Sequence, residues 1–452
     1  MAWIMVGYLL ITLSLSLALP LGEAADEVSH RADVHDIAHV RLPTKDGAAA
    51  GEAHQPPLYY ALVALVTAWM PRDGLQVQAN PDFSLAQRDP PNLLLHPAAE
   101  AWPFAADAWL WHVIRLVSVA MGAVTVWTTY RLARESFPDD KALAWGAAGF
   151  VAFLPGFTLV SAALNNDNLI IMLSALTAWQ WVRLLGSSSG REQHTVIAGS
   201  ALCDEALSAD EERDRFAPPA MTARLGNRCL SRQPLDAHQG AVLGLLLGLA
   251  ALTKLTGFLL RGVSAVVLAW RAVGSDRRQW VKTAVATLLP ALLICGPWLL
   301  YGAVTYGDPL GWSRLLSFTP RLTPITWTDW MQHALGMYTS FWGRYGGASQ
   351  VWLPTIVYTA LAIIPLAAVA GLARGIVQRS STVVWPGRLI VFVLFPLLVL
   401  ASHLRFVAMM VGADLARHVF PALPPLAIVI VAGIRRLACR QAWAMALLVV
   451  AM

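Results

Sequence analysis

Long apolar runs divided by short polar connectors dominate this chain. Runs of about 20 apolar residues, the length that crosses a hydrocarbon core, recur along it. They predict spans at 2–19, 109–133, 142–160, 168–186, 239–253, 256–271, 282–303, 351–373, 388–403 and 419–435, with a last one entered at 441. The expected fold class is all-α integral membrane, with roughly 11 or more transmembrane helices, because a helix satisfies its own backbone in lipid. Residues 2–19 imitate a signal peptide, but no Lys or Arg precedes them and many spans follow, so they read as an uncleaved first helix. The chain stops at Met452 in the middle of an apolar run, and a missing C-terminal part is expected.

Two polar blocks interrupt the pattern. The loop 20–108 is too long for a plain linker and signals function. Its apolar-aromatic pieces 57–70 and 93–104 are too short to span and predict helices on the membrane surface, with Tyr59, Tyr60, Trp69 and Trp102 at headgroup depth. In "EAHQPPLYY" (52–60), Pro56 and Pro57 end the polar loop and start the first of these helices, leaving Glu52, His54 and Gln55 facing a site near Asp26. The second block, 187–238, is rich in Ser, Asp, Glu and Arg and reads as a weakly structured insertion.

Charge orients the spans. Arg131, Arg134 and Lys141, then Arg183 and Arg191, Arg271 with Arg277, Arg278 and Lys282, Arg374 with Arg379 and Arg388, and Arg435, Arg436 and Arg440 fall on one side if the spans alternate. The positive-inside rule makes that side cytoplasmic, which puts 187–238 inside and 20–108 outside. At 57% hydrophobic and 13% charged residues, a soluble multidomain protein is excluded. The net charge of +5 is explained by the same clusters, so nucleic acid is not an expected partner. The four cysteines, Cys203, Cys229, Cys295 and Cys439, lack metal-type spacing and read as free thiols.

In a bilayer protein the informative residues are ionisable ones at span ends, each costly unless it lines a polar cavity. On the expected outer side these include Asp26, Glu27, His30, Glu52, His54, Asn166, Asp167, Lys254, Asp308, Arg344, Arg405, Asp414, Arg417 and His418. Their gathering on one face predicts a cavity at that surface. Asp26 and Glu27 suit deprotonation of a hydroxyl. Arg417, His418, Lys254 and Arg344 suit a phosphate, the Arg as planar forks and the Lys as a point charge. "NNDN" at 165–168 reads as a helix N-cap whose dipole supports the same anion. "HDIAH" sets His35 and His39 at the i, i+4 spacing of paired zinc ligands, but Asp36 stands where HExxH has Glu. A divalent cation held by some of His35, His39, His54 and nearby carboxylates is a separate possibility, with a metalloprotease the weaker reading.

Several strings in order carry a resemblance: Asp26-Glu27 with His30 after the first span, "HQPPLYY" (54–60), "RLVSVAMGAVTV" (115–126), "NNDNL" (165–169), "TKLTG" (253–257), "SFWGRYGG" (340–347) and "ARHVFPALPPLA" (416–427). Together they resemble the polytopic glycosyltransferases of the C-type (GT-C) fold, close to the bacterial family 39 and protein-mannosyltransferase-like enzymes. The resemblance covers the chain except 187–238. It implies one transmembrane domain over 1–452 that moves a sugar from a polyprenyl-phosphate donor to an acceptor at the outer face of a prokaryotic cytoplasmic membrane. It implies Asp26 as the base, with Glu27 beside it, and a donor site drawn from His54, Gln55, Lys254, Arg344, Arg417 and His418. His30, Glu52, Asn166, Asp167 and Trp342 are expected to support that site. Two departures stand out: relatives with Glu-Lys-Pro-Pro carry a carboxylate where this chain has His54, and a common Arg-Tyr is Arg417-His418 here. A charged leaving group needs no strong acid, so one base and a few cations suffice, with inversion in a single displacement. The alternative from another class is a carrier or flippase for lipid-linked sugars; paired halves with broken helices, its usual mark, are not visible. The sugar, the acceptor and a need for metal are not readable.

Overall fold

The structure is a computed structural model that describes residues 1–42, 54–71, 77–87, 90–186, 235–273, 275–317, 319–377 and 387–437. Every predicted span up to residue 435 contains helix. In chain order these are α1 (Ala2–Ala18), α2 (Glu27–Ala38), α3 (Leu58–Val66), α4 (Ala106–Ser136), α5 (Lys141–Phe153), α6 (Pro155–Ser161) and α7 (Asp167–Leu185). After the insertion come α8 (Ala237–Ala251), α9 (Gly257–Ala272), α10 (Arg277–Tyr306), α11 (Trp312–Leu316), α12 (Trp327–Trp342), α13 (Thr355–Leu361), α14 (Ile363–Val377), α15 (Phe395–Met409) and α16 (Leu423–Leu437). A π-helical turn, Ile390–Leu394, leads into α15, and a 3-10 segment, Ala416–Ala422, leads into α16.

Among the described residues six helices are long and apolar enough to cross a membrane, and seven if the bent pair α5 and α6 is one span. The expectation of 11 or more is therefore met only as a multi-helix membrane fold. α1 and α8 are shorter apolar helices in two further predicted intervals, and the interval from 441 lies outside the described residues.

The bend between α5 and α6 is 62° and follows from sequence. Pro155 opens α6, and a proline biases the residue before it away from helix, as the extended Leu154 shows. Gly156 then lets α6 lie on α12: a Cβ there would sit 2.4 Å from the Phe341 carbonyl oxygen. Small residues make similar close approaches at the α14–α16 contact, where lipid-facing helices gain little from apolar burial and pack by backbone proximity instead. A Cβ on Gly433 would sit 2.3 Å from the Ala368 carbonyl oxygen.

The loop after α1 departs from expectation. Residues 27–38 form a helix, α2, and α3 occupies part of the predicted surface segment 57–70. Tyr59 and Tyr60 do not face outward as a surface helix would present them but are wholly buried. Each phenol has a polar partner inside the protein: Tyr59 Oη with Ser118 Oγ at 2.7 Å, and Tyr60 Oη with His30 Nδ1 at 2.8 Å. The predicted helix at 93–104 is instead a two-residue strand, β2 (Leu94–Leu95), paired antiparallel with β1 (Gln78–Ala79), and a 3-10 turn, Ala98–Glu100. Pro97 and Pro103 account for this, since proline removes helical N–H donors. Trp69 and Trp102 are exposed. A second two-residue ladder joins β3 (Arg344–Tyr345) and β4 (Val351–Trp352).

Gly433→Ala is expected to destabilise the detergent-solubilised protein by roughly 1–3 kcal/mol, the cost of overpacking a closed contact. Gly262→Ala, on α9 where a Cβ meets nothing within 4 Å, should leave the thermal midpoint unchanged or raised.

Candidate functional site

The turn from α1 to α2 is built around one buried ion pair. Arg115 on α4 and Glu27 at the start of α2 are both fully buried. The guanidinium has five N–H donors, and five bonds leave it: Nε and Nη2 to Glu27 at 2.8 and 2.7 Å, Nη1 to the carbonyls of Ser16 and Leu19 at 2.8 Å each, and Nη2 to Pro20 at 3.0 Å. Arg115 thus caps the end of α1, where carbonyls lack intrahelical partners. Glu27 accepts two more bonds, from the Gly22 and Leu164 amides at 3.0 Å each. Burial works against its charge, but Arg115 and these donors outweigh it and hold the carboxyl below its ordinary range. A buried pair this fully bonded survives its desolvation cost, which a half-bonded one does not. The adjacent Asp26 is held in left-handed backbone, φ 63°, a region that Asp tolerates better than most residues.

Asp26 opens onto a cavity of about 770 Å³ that Ser29, His30, His54, Gln55, Lys254, Arg344, Asp414, Arg417 and His418 also line. Its charges alternate along a chain. Asp26 pairs with Arg417 Nη2, Arg417 Nε lies 3.7 Å from Asp167 Oδ2, and Lys254 Nζ lies 2.6 Å from Asp167 Oδ1. The Asp26 side chain is 44% exposed, so it faces the cavity, whereas Asp167 is buried behind the two cations. Arg417, opposed by burial and aided by His30, holds the Asp26 carboxyl far below the usual carboxylate range. Burial pushes His30 down to about 4 and His54 to about 3, so both are neutral at physiological pH. On the facing wall Arg344 donates to Asp414 at 2.7 Å and lies over the Trp352 ring at 4.4 Å. His418 stacks on His403, whose Nε2 is 3.0 Å from that of His333. Leu255, Leu259, Leu315, Val399 and Phe406 add apolar surface to the lining.

Residues 110–202 match the model of the dolichyl-phosphate-mannose-protein mannosyltransferase family. Among solved structures, ArnT from Cupriavidus metallidurans bound to undecaprenyl phosphate is 12% identical, with a TM-score of 0.52 over 98% of this chain and 62% of that one. Its apo form is also 12% identical, with a TM-score of 0.52 over 98% of this chain and 61% of that one. The Archaeoglobus fulgidus oligosaccharyltransferase in its apo form is 14% identical, with a TM-score of 0.48 over 99% of this chain and 54% of that one. This chain has the C-type glycosyltransferase fold. It spans less than two thirds of the length of the ArnT structures it matches. No curated protein matches it.

Within this C-type fold the residues expected at the site fall into four groups. Asp26, His30, His54, Gln55, Lys254, Arg344, Arg417 and His418 line one cavity. Glu27, Asn166, Asp167 and Trp342 lie behind it: Glu27 in the Arg115 pair, Asn166 with its Nδ2 on Tyr60 Oη at 3.2 Å, Asp167 beneath the cations, and Trp342 among Phe150 and Phe341. Glu52 lies outside the described residues. His35 and His39 sit at the end of α2 with ring centroids 4.3 Å apart, and neither lines the cavity. Among the described residues no group of three or more His, Cys, Asp or Glu is placed to hold a metal ion. Arg115, Glu23 and His403 were not singled out from the sequence. Of the two Arg in the apolar run 109–133, Arg115 stands apart from the basic cluster that Arg131 begins, and that is the signal that marks the first, since a charge there demands a partner.

Glu27→Gln leaves the Arg115 charge buried without its counter-ion and is expected to cost about 3–5 kcal/mol in thermal unfolding. Because the folded Glu27 carboxyl ionises below its ordinary range, this stabilisation is present at neutral pH and fades as pH falls through that lowered value. The wild-type unfolding midpoint should therefore drop on acidification more steeply than that of Glu27→Gln.

Proposed function

We propose that the protein transfers a sugar from a polyprenyl-phosphate donor to an acceptor at the outer face of a prokaryotic cytoplasmic membrane, with Asp26 as base. The observation that carries this reading is the meeting of Asp26 with Arg417, Lys254 and Arg344 around one cavity that apolar side chains also line. Such a cavity suits an amphiphile with an anionic head. The family match over 110–202 and the fold shared with ArnT, captured with undecaprenyl phosphate, point to the same ligand class.

In the proposed reaction Asp26 accepts the proton of an acceptor hydroxyl as its oxygen attacks the anomeric carbon. The bond from that carbon to the phosphate oxygen breaks, and polyprenyl phosphate leaves with the electron pair and one more negative charge. Fixed cations at the phosphate stabilise that developing charge. One displacement inverts the anomeric centre.

The ion pairs impose an order on these events. Arg417, Lys254 and Arg344 each hold a carboxylate, namely Asp26, Asp167 and Asp414. While Arg417 grips it, Asp26 is a weak base. A donor phosphate competes for Arg417, loosens the grip and raises the basicity of Asp26, so donor binding prepares the base.

The test is transfer of a labelled sugar from its polyprenyl phosphate into membranes, with binding of unlabelled polyprenyl phosphate measured in parallel. Asp26→Asn should cut transfer by about 10²-fold or more, the usual contribution of a positioned base, while binding persists. Near-wild-type transfer by this variant would remove Asp26 from the mechanism, and a wild type that moves lipid-linked sugar across the bilayer without transfer would make it a carrier. For the ordered mechanism, activity needs ionised Asp26 and is lost as pH falls through its pKa. The acid limb of kcat, reporting the donor complex, should lie at higher pH than that of kcat/KM.

A further inference from the structure

Glu23 is a buried carboxylate outside the proposed chemistry. It sits three residues before Asp26 and is 2% exposed. Its two oxygens accept backbone amides from two distant loops: Oε1 from Leu94 at 2.8 Å, and Oε2 from Gly347 at 3.1 Å. His96 brings its Nε2 to 3.5 Å of Oε1, while its Nδ1 meets Glu100 at 2.8 Å. One side chain thus ties together the turn carrying Asp26, the strand β2 and the loop carrying Arg344.

We infer that Glu23 is a positioning residue that sets Arg344 in the donor-phosphate subsite by clamping the 344–349 loop to the Asp26 turn; the inference rests on the donor reading above. Besides this clamp the loop is held by the Arg344–Asp414 pair at 2.7 Å, by the Ala348 amide on Gln350 Oε1 at 3.0 Å and by Tyr358 Oη on the Gly343 carbonyl at 2.7 Å, and of these only the Asp414 pair reaches a distant part of the chain. β3 and β4 pair over only two residues each, too few to hold a hairpin unaided. Arg344 takes part of its pose from the loop: beside its contacts with Asp414 and Trp352, its Nε donates to the Ser349 carbonyl at 3.3 Å. That carbonyl belongs to a residue at φ 54°, a backbone state that persists only where surroundings impose it. Gly347 shows how close the clamp is: a Cβ there would lie 2.8 Å from Leu93 Cδ2 and 3.3 Å from Glu23 Oε2. A second cavity of about 50 Å³ is bounded by Glu23, Arg344 and Arg417 together, so Glu23 lies within one small void of both cations. A carboxyl side chain is the suitable clamp because its two acceptor oxygens serve two loops at once.

Two measurements on the full chain in detergent test this. Hydrogen exchange of the ligand-free protein reads the clamp alone: Glu23→Gln, which keeps one acceptor oxygen, should speed exchange of the Gly347 amide region and leave the helices unchanged. Unaltered exchange there overturns the clamp, whatever the protein's substrate. Binding of a polyprenyl monophosphate reads the positioning role. Glu23→Gln should weaken it about tenfold, the size of one lost hydrogen bond. In the Arg344→Ala background the same change should cost nothing further, because the group it positions is gone. An equal loss in both backgrounds makes Glu23 merely structural and overturns the inference. A wild type that binds no polyprenyl phosphate overturns the donor reading and with it the positioning role, while the exchange result still decides the clamp.

Discussion

The Arg115–Glu27 pair is the constraint on which the site depends. α1 ends in free carbonyls, as every helix does, and here they point at a guanidinium instead of water. The same guanidinium fixes Glu27, and Glu27 fixes the Gly22 and Leu164 amides. One interaction therefore joins α1, α2, α4 and the segment before α7. A carboxylate on a loop after a membrane helix would otherwise sample many positions. Asp26 instead follows a chain turn whose neighbour is immobilised by four hydrogen bonds, and its left-handed backbone is a consequence of that turn. The cost is a pair of buried charges, and full hydrogen bonding is what makes them tolerable.

The adjacent carboxylates of the Asp-Glu string consequently have opposite environments. Glu27 is buried and faces the protein, while Asp26 is exposed by nearly half and faces the cavity. Two residues equivalent on paper are divided between holding the turn and lining the cavity. Sequence alone offers no means of choosing between them, because the choice is made by a residue 88 positions away on α4.

That difference describes legibility across the molecule. The spans were readable because apolar length is a local property, and so were the polar residues that converge, because each sits at a span end. Tyr59 and Tyr60 were misplaced for a definite reason: an aromatic pair beside a polar loop looks the same whether its hydroxyls reach headgroups or partners such as Ser118 and His30. The segment 93–104 was misread because its apolar content outweighed its prolines. Glu23 was illegible, since its partners are backbone amides, which any sequence supplies.

The cavity's charge balance is the remaining consequence. Three cations and three carboxylates around one space leave it without net charge before any ligand enters. An uncompensated cluster of cations at a membrane surface would repel itself and attract any available anion. Pairing each cation with a carboxylate keeps the empty site stable and sets a threshold: only a ligand that offers more than the resident carboxylate displaces it. On the proposed donor reading a phosphate head competes for Arg417, and the apolar residues Leu255, Leu259 and Phe406 in the lining add binding that small anions cannot use. Under the proposed donor reading, selectivity for a lipid-borne phosphate over free phosphate follows from two weak requirements met together, an anion strong enough to open an ion pair and a chain long enough to offset that opening.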